Sequence, residues 1–172
     1  MDDLIIRFAA VEDAAALAGL ARSTFDEAFG HLCDANDMRI YMDEAFAPPQ
    51  LAREIADPAC AFLLAFSASE MIGYLKLRTG YLPKCVTGPN PIELCRLYVP
   101  RAFHGRGIAA RLMDEGLQLA RARGHQTMWL GVWDRNHRAQ GFYRKYDFHQ
   151  VGEHPFQLGN DAQTDMVWAR PL

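Results

Sequence analysis

The chain has 172 residues, of which 50% are hydrophobic and 23% charged, and its formal net charge is −3. That length implies a single domain over residues 1–172, and the composition excludes disordered, collagen-like and low-complexity chains. The near-neutral balance argues against a surface that grips nucleic acid as a whole.

The first expected element is a strand over residues 3–8. An alanine-rich stretch follows, in which Ala14, Leu17, Ala18, Ala21, Phe25 and Phe29 recur at helical spacing. A second helix is expected over 35–46, with Met38, Tyr41, Met42 and Phe46 along one side. Pro48-Pro49 closes it before a short third helix ending at Asp57. The apolar runs 60–67 and 70–79, separated by Ala68-Ser69, read as an antiparallel hairpin. Residues 80–91, with two glycines and three prolines, form a loop. A strand over 92–99 ends at Pro100. After Gly105-Arg106-Gly107, a helix presents Ile108, Leu112, Met113, Leu117 and Ala120 on one face and stops near Gly124. A strand over 126–133, a helix over 136–146 and a final hairpin of 148–156 with 164–169 complete the chain. There is no internal repeat and no linker.

Cys33, Cys60, Cys85 and Cys95 lack metal-ligand spacing and read as free thiols, the alternative being a disulfide framework. The six histidines show no HExxH or Cys/His ligand spacing, so no metal is expected. The start, Met1-Asp2-Asp3-Leu4, is acidic where a signal peptide is basic. The longest apolar stretches fall far short of the ~20 residues that cross a bilayer. A cytoplasmic protein with no membrane partner is expected.

Two regions carry chemistry. In the first, a strand leads through His104-Gly105-Arg106-Gly107-Ile108-Ala109 into a helix. A helix start behind a glycine-containing loop offers unpaired N–H groups and a positive dipole end, which bind phosphate or pyrophosphate. Arg106 and Arg111 add charge-assisted contacts. The other reading is a tight turn. A P-loop is excluded, because no Gly-Lys-Ser/Thr is present, and the Rossmann GxGxxG spacing is absent as well. Between Arg96 and Lys145, ten basic residues stand against three acidic ones, a local +7 that leaves −10 for the remainder. That polarity suits a phosphorylated cofactor at the loop.

The second region is Trp129-Leu130-Gly131-Val132-Trp133-Asp134-Arg135-Asn136, then Ala139, then Phe142-Tyr143 and Phe148. Both regions together, in this order and spacing, resemble the GNAT superfamily of acetyl-CoA-dependent N-acetyltransferases. Within it, Thr24-Phe25, Ala28-Phe29, Met38, Tyr41-Met42, Ala45-Phe46, Ile72-Gly73-Tyr74, Trp129 to Trp133 and Gln163-Thr164-Asp165 are similar to PaiA-type bacterial spermidine/spermine acetyltransferases. Two positions depart from the family pattern: His104 stands where glutamine or arginine is usual, and Asp147 where glycine is usual. The resemblance implies an α/β (α+β) fold, with a mixed, largely antiparallel sheet splayed at the acetyl-CoA site and flanked by helices. It also implies direct acetyl transfer to a primary amine such as a polyamine, and a homodimer is a family-level expectation. Other amines (an amino acid, an antibiotic, a protein N-terminus) and a non-catalytic acyl-CoA-binding module are the alternatives.

By that resemblance Tyr143 donates the proton to the departing thiolate, with packing as the competing role. Glu93 is the expected base, or else a strand-edge charge. The acetyl-CoA site would comprise Leu97, Tyr98, Val99, His104, Gly105, Arg106, Gly107, Ile108, Ala109, Arg111, Asn136, Ala139 and Tyr143; Asn136 is also a natural helix cap. Arg96, pointing away from Leu97, reads as structural. Acids between Thr24 and Phe46, Asp26 among them, either attract a cationic acceptor that Tyr41 and Trp133 line or form a solvated helical face. Cys95 shares a strand face with Glu93 and is assigned to packing rather than nucleophilic attack.

Overall fold

The computed structural model describes residues 4–172; the expected strand start at Asp3 lies outside them. Seven strands form one sheet in the order β1-β2-β3-β4-β5-β7-β6, antiparallel except where β4 meets β5. In chain order they are β1 (Leu4–Phe8), β2 (Cys60–Ser67), β3 (Glu70–Arg78), β4 (Pro91–Tyr98), β5 (Thr127–Trp133), β6 (His149–Leu158) and β7 (Asp161–Pro171). The helices are α1 (Ala14–Phe29), α2 (Ala35–Ala45), α3 (Pro48–Ala56), α4 (Ile108–Ala122) and α5 (His137–Arg144).

Three of the helices start for a local reason. Asp34 caps α2 by accepting from the N–H groups of Asn36 and Asp37, and Pro48 starts α3 where a missing N–H costs nothing. Asn136 caps α5 through its bond from Ala139 N–H. That helix ends at Arg144, two residues short of expectation, and Asp147 turns the chain at φ +61°. An aspartate tolerates this conformation at modest cost, as the departure from glycine requires. The last hairpin is longer than its apolar pattern suggests: residues 157 and 158 and 161–163 extend the ladder around Gly159-Asn160. Two short 3₁₀ turns, Val11–Asp13 and Arg101–Phe103, have no hydrophobic period to announce them.

The sheet is buried on both faces. On one, Leu112, Met113, Leu117 and Ala120 of α4 pack on Leu75, Leu77, Ile92, Leu94 and Leu130. On the other, α1 to α3 bring Leu17, Ala21, Phe25, Met38 and Leu51 onto Phe62, Leu64 and Tyr74. The loop before β4 lays Val86 over Trp129 and Val167.

Two irregularities in β4 position the site. Its parallel pairing with β5 covers only Pro91, Ile92 and Glu93, against Thr127, Met128 and Trp129. Beyond Glu93 the two strands diverge, leaving one edge of β4 open inside the protein. A bulge also makes Lys76 face Arg96 while the next residue, Leu77, faces Leu94, so Cys95 is the extra residue. Leu94 and Leu97, three apart, therefore share the α4 face. Arg96 and Tyr98 turn towards α1 to α3, where Arg96 lies over the Phe46 ring at 4.8 Å and Tyr98 stacks on Tyr74.

Candidate active site

The divergence of β4 and β5 opens two cavities that share a wall. The larger, about 420 Å³, runs between the ends of α1 and β4 on one side and α5 on the other. The smaller, about 150 Å³, is enclosed by α2, the bulged part of β4 and the last hairpin. Phe29, Leu97, Tyr98, Trp133, Asn136, Ala139 and Tyr143 line both. A molecule in one cavity thus meets a molecule in the other beside Tyr143.

The larger cavity is suited to a long anionic ligand. Arg101, Arg135 and Arg138 stand on its wall, and so does His104. His104 Nε2 lies 2.7 Å from the Val99 carbonyl and its Nδ1 meets the Arg138 guanidinium. A guanidinium only donates, so Nδ1 accepts and Nε2 donates to Val99. His104 thereby ties the end of β4 to α5. Beyond this wall, Gly105 and Gly107 both take φ +78°, with open space where a Cβ would sit. The first helical bond of α4 is Arg111 N–H to Gly107 O, so Ile108, Ala109 and Ala110 keep N–H groups without an intrahelical acceptor. These features fit a pyrophosphate-bearing group, with the charged groups of the cavity wall alongside.

The smaller cavity has a different chemistry. Trp133 on β5 and Asp165 on β7 line it and are cross-strand neighbours, and His154 on β6 stands opposite Asp165 behind them. Asp165 lines the cavity, and burial followed by the nearby Asp134 pushes its carboxyl up to about 6. His154 Nε2 is buried without a hydrogen-bond partner, and burial holds that imidazole below its usual value. Gly131 makes room for both: a Cβ there would stand 2.9 Å from His154 Nε2 and 3.2 Å from Asp165 Oδ2. Gly131→Ala is accordingly expected to displace Asp165 and to lower kcat by about tenfold with the KM for acetyl-CoA unchanged, since misplacement by ~1 Å costs up to ~10²-fold. Steady-state kinetics of the purified variant check this.

Residues 10–148 match the model of the acetyltransferase (GNAT) family. The chain belongs to the GNAT acetyltransferase family. An uncharacterized N-acetyltransferase of Lactobacillus delbrueckii subsp. lactis is 31% identical over 153 residues, covering 89% of this chain and 88% of that protein. An uncharacterized N-acetyltransferase of Mycobacterium bovis is 33% identical over 160 residues, covering 93% and 98% respectively. In fold, the chain is similar to the PaiA N-acetyltransferase of Thermoplasma acidophilum, solved in complex with coenzyme A, with a TM-score of 0.80, 21% identity and 99% of each chain covered. As a GNAT enzyme it is an N-acetyltransferase that takes its acetyl group from acetyl-CoA.

The GNAT site gathers some of the expected residues and not others. Leu97, Tyr98, Val99, His104, Ala109, Asn136, Ala139 and Tyr143 all line the larger cavity. Gly105, Arg106, Gly107, Ile108 and Arg111 do not. Arg106 sits over the Phe103 ring at 5.2 Å, Arg111 is exposed, and the Ile108 side chain is in the core, so this segment offers backbone. Tyr41 and Trp133 line the smaller cavity.

Asp26 is a correction. It lies on the exposed side of α1 and lines neither cavity. Four other acids of that stretch are engaged in the fold: Glu27 with Arg101 N–H, Asp34 as the α2 cap, Asp37 with Asn160 and Asp43 with Arg22. Glu93 is a second correction. Its Oε2 accepts from Arg78 Nε at 2.9 Å and from the second guanidinium nitrogen at 2.6 Å, and it lines neither cavity. It is not brought near Tyr143.

Arg96 points away from Leu97 and is one of three residues, with Lys76 and Glu54, in a buried charge group; it also lines the smaller cavity. The residues that sequence reasoning missed there, Asp165, Gly131 and Arg96, depend on strand register, as does His154 behind them. Gln140 was missed as well; it is buried and donates to the Trp133 and Asp134 carbonyls, fixing the turn into α5.

Among the described residues, no group of three or more His, Cys, Asp and Glu side chains is placed to hold a metal, and all four cysteines are free. Among those residues, no helix is long and apolar enough to cross a membrane.

Proposed function

We propose that this enzyme acetylates the primary amine of a small acceptor seated in the 150 Å³ cavity, by direct transfer in a ternary complex. The observation that carries the proposal is the shared wall at Tyr143, where the two cavities meet. Acetyl-CoA supplies a thioester, whose attack by an amine needs a neutral nitrogen and a proton for the departing sulfur. The free N–H groups at the start of α4, with Arg101, Arg135 and Arg138, would hold its phosphates. The open edge of β4 at Leu97 and Val99, with Asn136, would hold the pantetheine arm.

Asp165 takes the ammonium proton on its carboxylate. With its pKa raised to about 6 it is ionised at neutral pH yet a stronger base than an exposed aspartate. Tyr143 gives its phenolic proton to the thiolate. Burial pushes that phenol up to about 12, so it stays protonated across the working range.

Cys95 also lines the acceptor cavity, but burial, followed by the charge of Glu93, pushes its thiol well above the ordinary range. A protonated thiol is a poor nucleophile, which favours transfer without a covalent enzyme intermediate. Cys95→Ala is expected to keep kcat within about threefold, with intersecting rather than parallel double-reciprocal lines.

Polyamines are the finer reading implied by the PaiA resemblance. The aromatic wall supports them, but Asp165 alone stands for the several acids expected, and Arg96 lines the same cavity. The experiment that tests the function is thiol release from acetyl-CoA over an amine panel that contains spermidine, amino acids and simple alkylamines. Release that depends on an amine is the expected result.

A further inference from the structure

The smaller cavity contains a buried cation whose charge is not balanced by the protein. Lys76, Arg96 and Glu54 lie together beneath α3, with side-chain exposures of 3%, 12% and 17%. Two cations share one carboxylate, and they share it unequally. Glu54 Oε2 is 2.8 Å from Lys76 Nζ but 3.5 Å from the Arg96 guanidinium. Burial pulls the Glu54 carboxyl up, and the Lys76 hydrogen bond and the Arg96 charge more than reverse that, so it is an anion already committed to the lysine.

Arg96 is left with one long contact to Glu54, a side-chain interaction with the Tyr41 hydroxyl, the Phe46 ring at 4.8 Å, and a face on the cavity, too little for five N–H donors. A buried guanidinium in that position is costly unless an anion completes it. Asp165, on the same cavity, forms no ion pair with it. Tyr41, which lines the same cavity, lies within the fields of Arg96, Asp165 and Glu54. The cavity is thus positive at Arg96 and negative at Asp165. Its volume of about 150 Å³ matches the enclosed space that holds a six-carbon ring elsewhere, so it admits a molecule of a few carbons between the two poles.

Building on the acetyl-transfer reading, we propose that Arg96 binds an anionic group of the acceptor, which is a small amino acid carrying its carboxylate towards Arg96 and its amine towards Asp165. A planar guanidinium takes a carboxylate through two parallel hydrogen bonds, which also orients the molecule. Amines without an anion leave Arg96 unpaired, and polycations place a like charge beside it.

The test uses matched pairs that differ by the carboxylate alone: L-alanine against ethylamine, L-leucine against 3-methylbutylamine, and 4-aminobutyrate against propylamine, with spermidine alongside. Each is measured by thiol release and, independently of turnover, by calorimetry on the CoA-saturated protein. The carboxylated member of at least one pair is expected to be preferred about a hundredfold in kcat/KM, because a site built to hydrogen-bond a group rejects the analogue that lacks it. Arg96→Met is expected to abolish that preference through KM, and Arg96→Lys to restore part of it, with calorimetric acetyl-CoA binding unchanged in both.

Equal or better turnover of the uncarboxylated amines or of spermidine by the unaltered enzyme overturns the inference while leaving acetyl transfer intact. Carboxylate-dependent binding without thiol release has the opposite meaning: the anion site stands and the transfer reading falls. An Arg96→Met protein that binds acetyl-CoA and keeps the preference also overturns it, as does an absence of both binding and turnover across the panel.

Discussion

Asp165→Asn is expected to lower kcat by about 10²–10³-fold, the range of a positioned general base, while making the protein more stable at pH 8. The two effects share one cause. Burial raises the Asp165 carboxyl to about 6, against an ordinary value near 3.8, so the native state binds this proton more tightly than the unfolded chain does. Its stability contribution is therefore full below about pH 4 and is lost as pH rises through 6. Above that, the buried charge costs roughly 1–3 kcal/mol, and an uncharged asparagine relieves it. The same pKa sets the pH profile: kcat/KM rises with pH up to about 6 and then levels, and the Asn variant lacks this limb. Thermal melts at pH 5 and pH 8, beside a pH–rate series, check both halves. A variant equally active, or a melting point that is unchanged at pH 8, contradicts the assignment.

Tyr143→Phe is expected to lower kcat by about 10²-fold with the KM for acetyl-CoA altered little, because only the hydroxyl is removed. The ring packs beside Phe142 and against Phe148, and phenylalanine keeps those contacts. A poor leaving thiol needs the proton most, so an acetyl thioester whose thiol has a lower pKa should be transferred with a smaller defect. An equal defect for both thioesters assigns Tyr143 to packing.

How far these roles can be read from sequence differs residue by residue. The roles of Tyr143, Asn136 and Leu97 come from the resemblance, which can carry them because local elements hold these residues: Asn136 caps α5 and Tyr143 follows two turns later. The alternation of β4 is legible up to Cys95. It fails at Arg96, because the bulge that turns Arg96 into the acceptor cavity depends on the pairing of Lys76 and Leu77 with β4. Glu93 misleads for the same reason. Its partner Arg78 is its cross-strand neighbour on β3, and nothing in the spacing of 15 residues announces that pairing.

Asp165 is the clearest case. It stands opposite Trp133 on one side and His154 on the other, and that row exists only once the registers of three strands are set. The charge reading is also redistributed. Of the basic residues between Arg96 and Lys145, Arg101, Arg135 and Arg138 line the larger cavity, whereas Arg144 lies over Trp168 and Arg96 belongs to the acceptor side. The acids of α1 and α2 are spent largely on helix caps and ion pairs of the fold.

The central claim, transfer of acetyl from acetyl-CoA to an amine at the junction of the two cavities, is tested most directly by incubating the enzyme with acetyl-CoA and the amine panel and weighing the products. The account predicts amine-dependent release of free CoA, matched one for one by an amine that has gained a single acetyl group. Acetyl-CoA that binds while no amine in the panel is acetylated would contradict it.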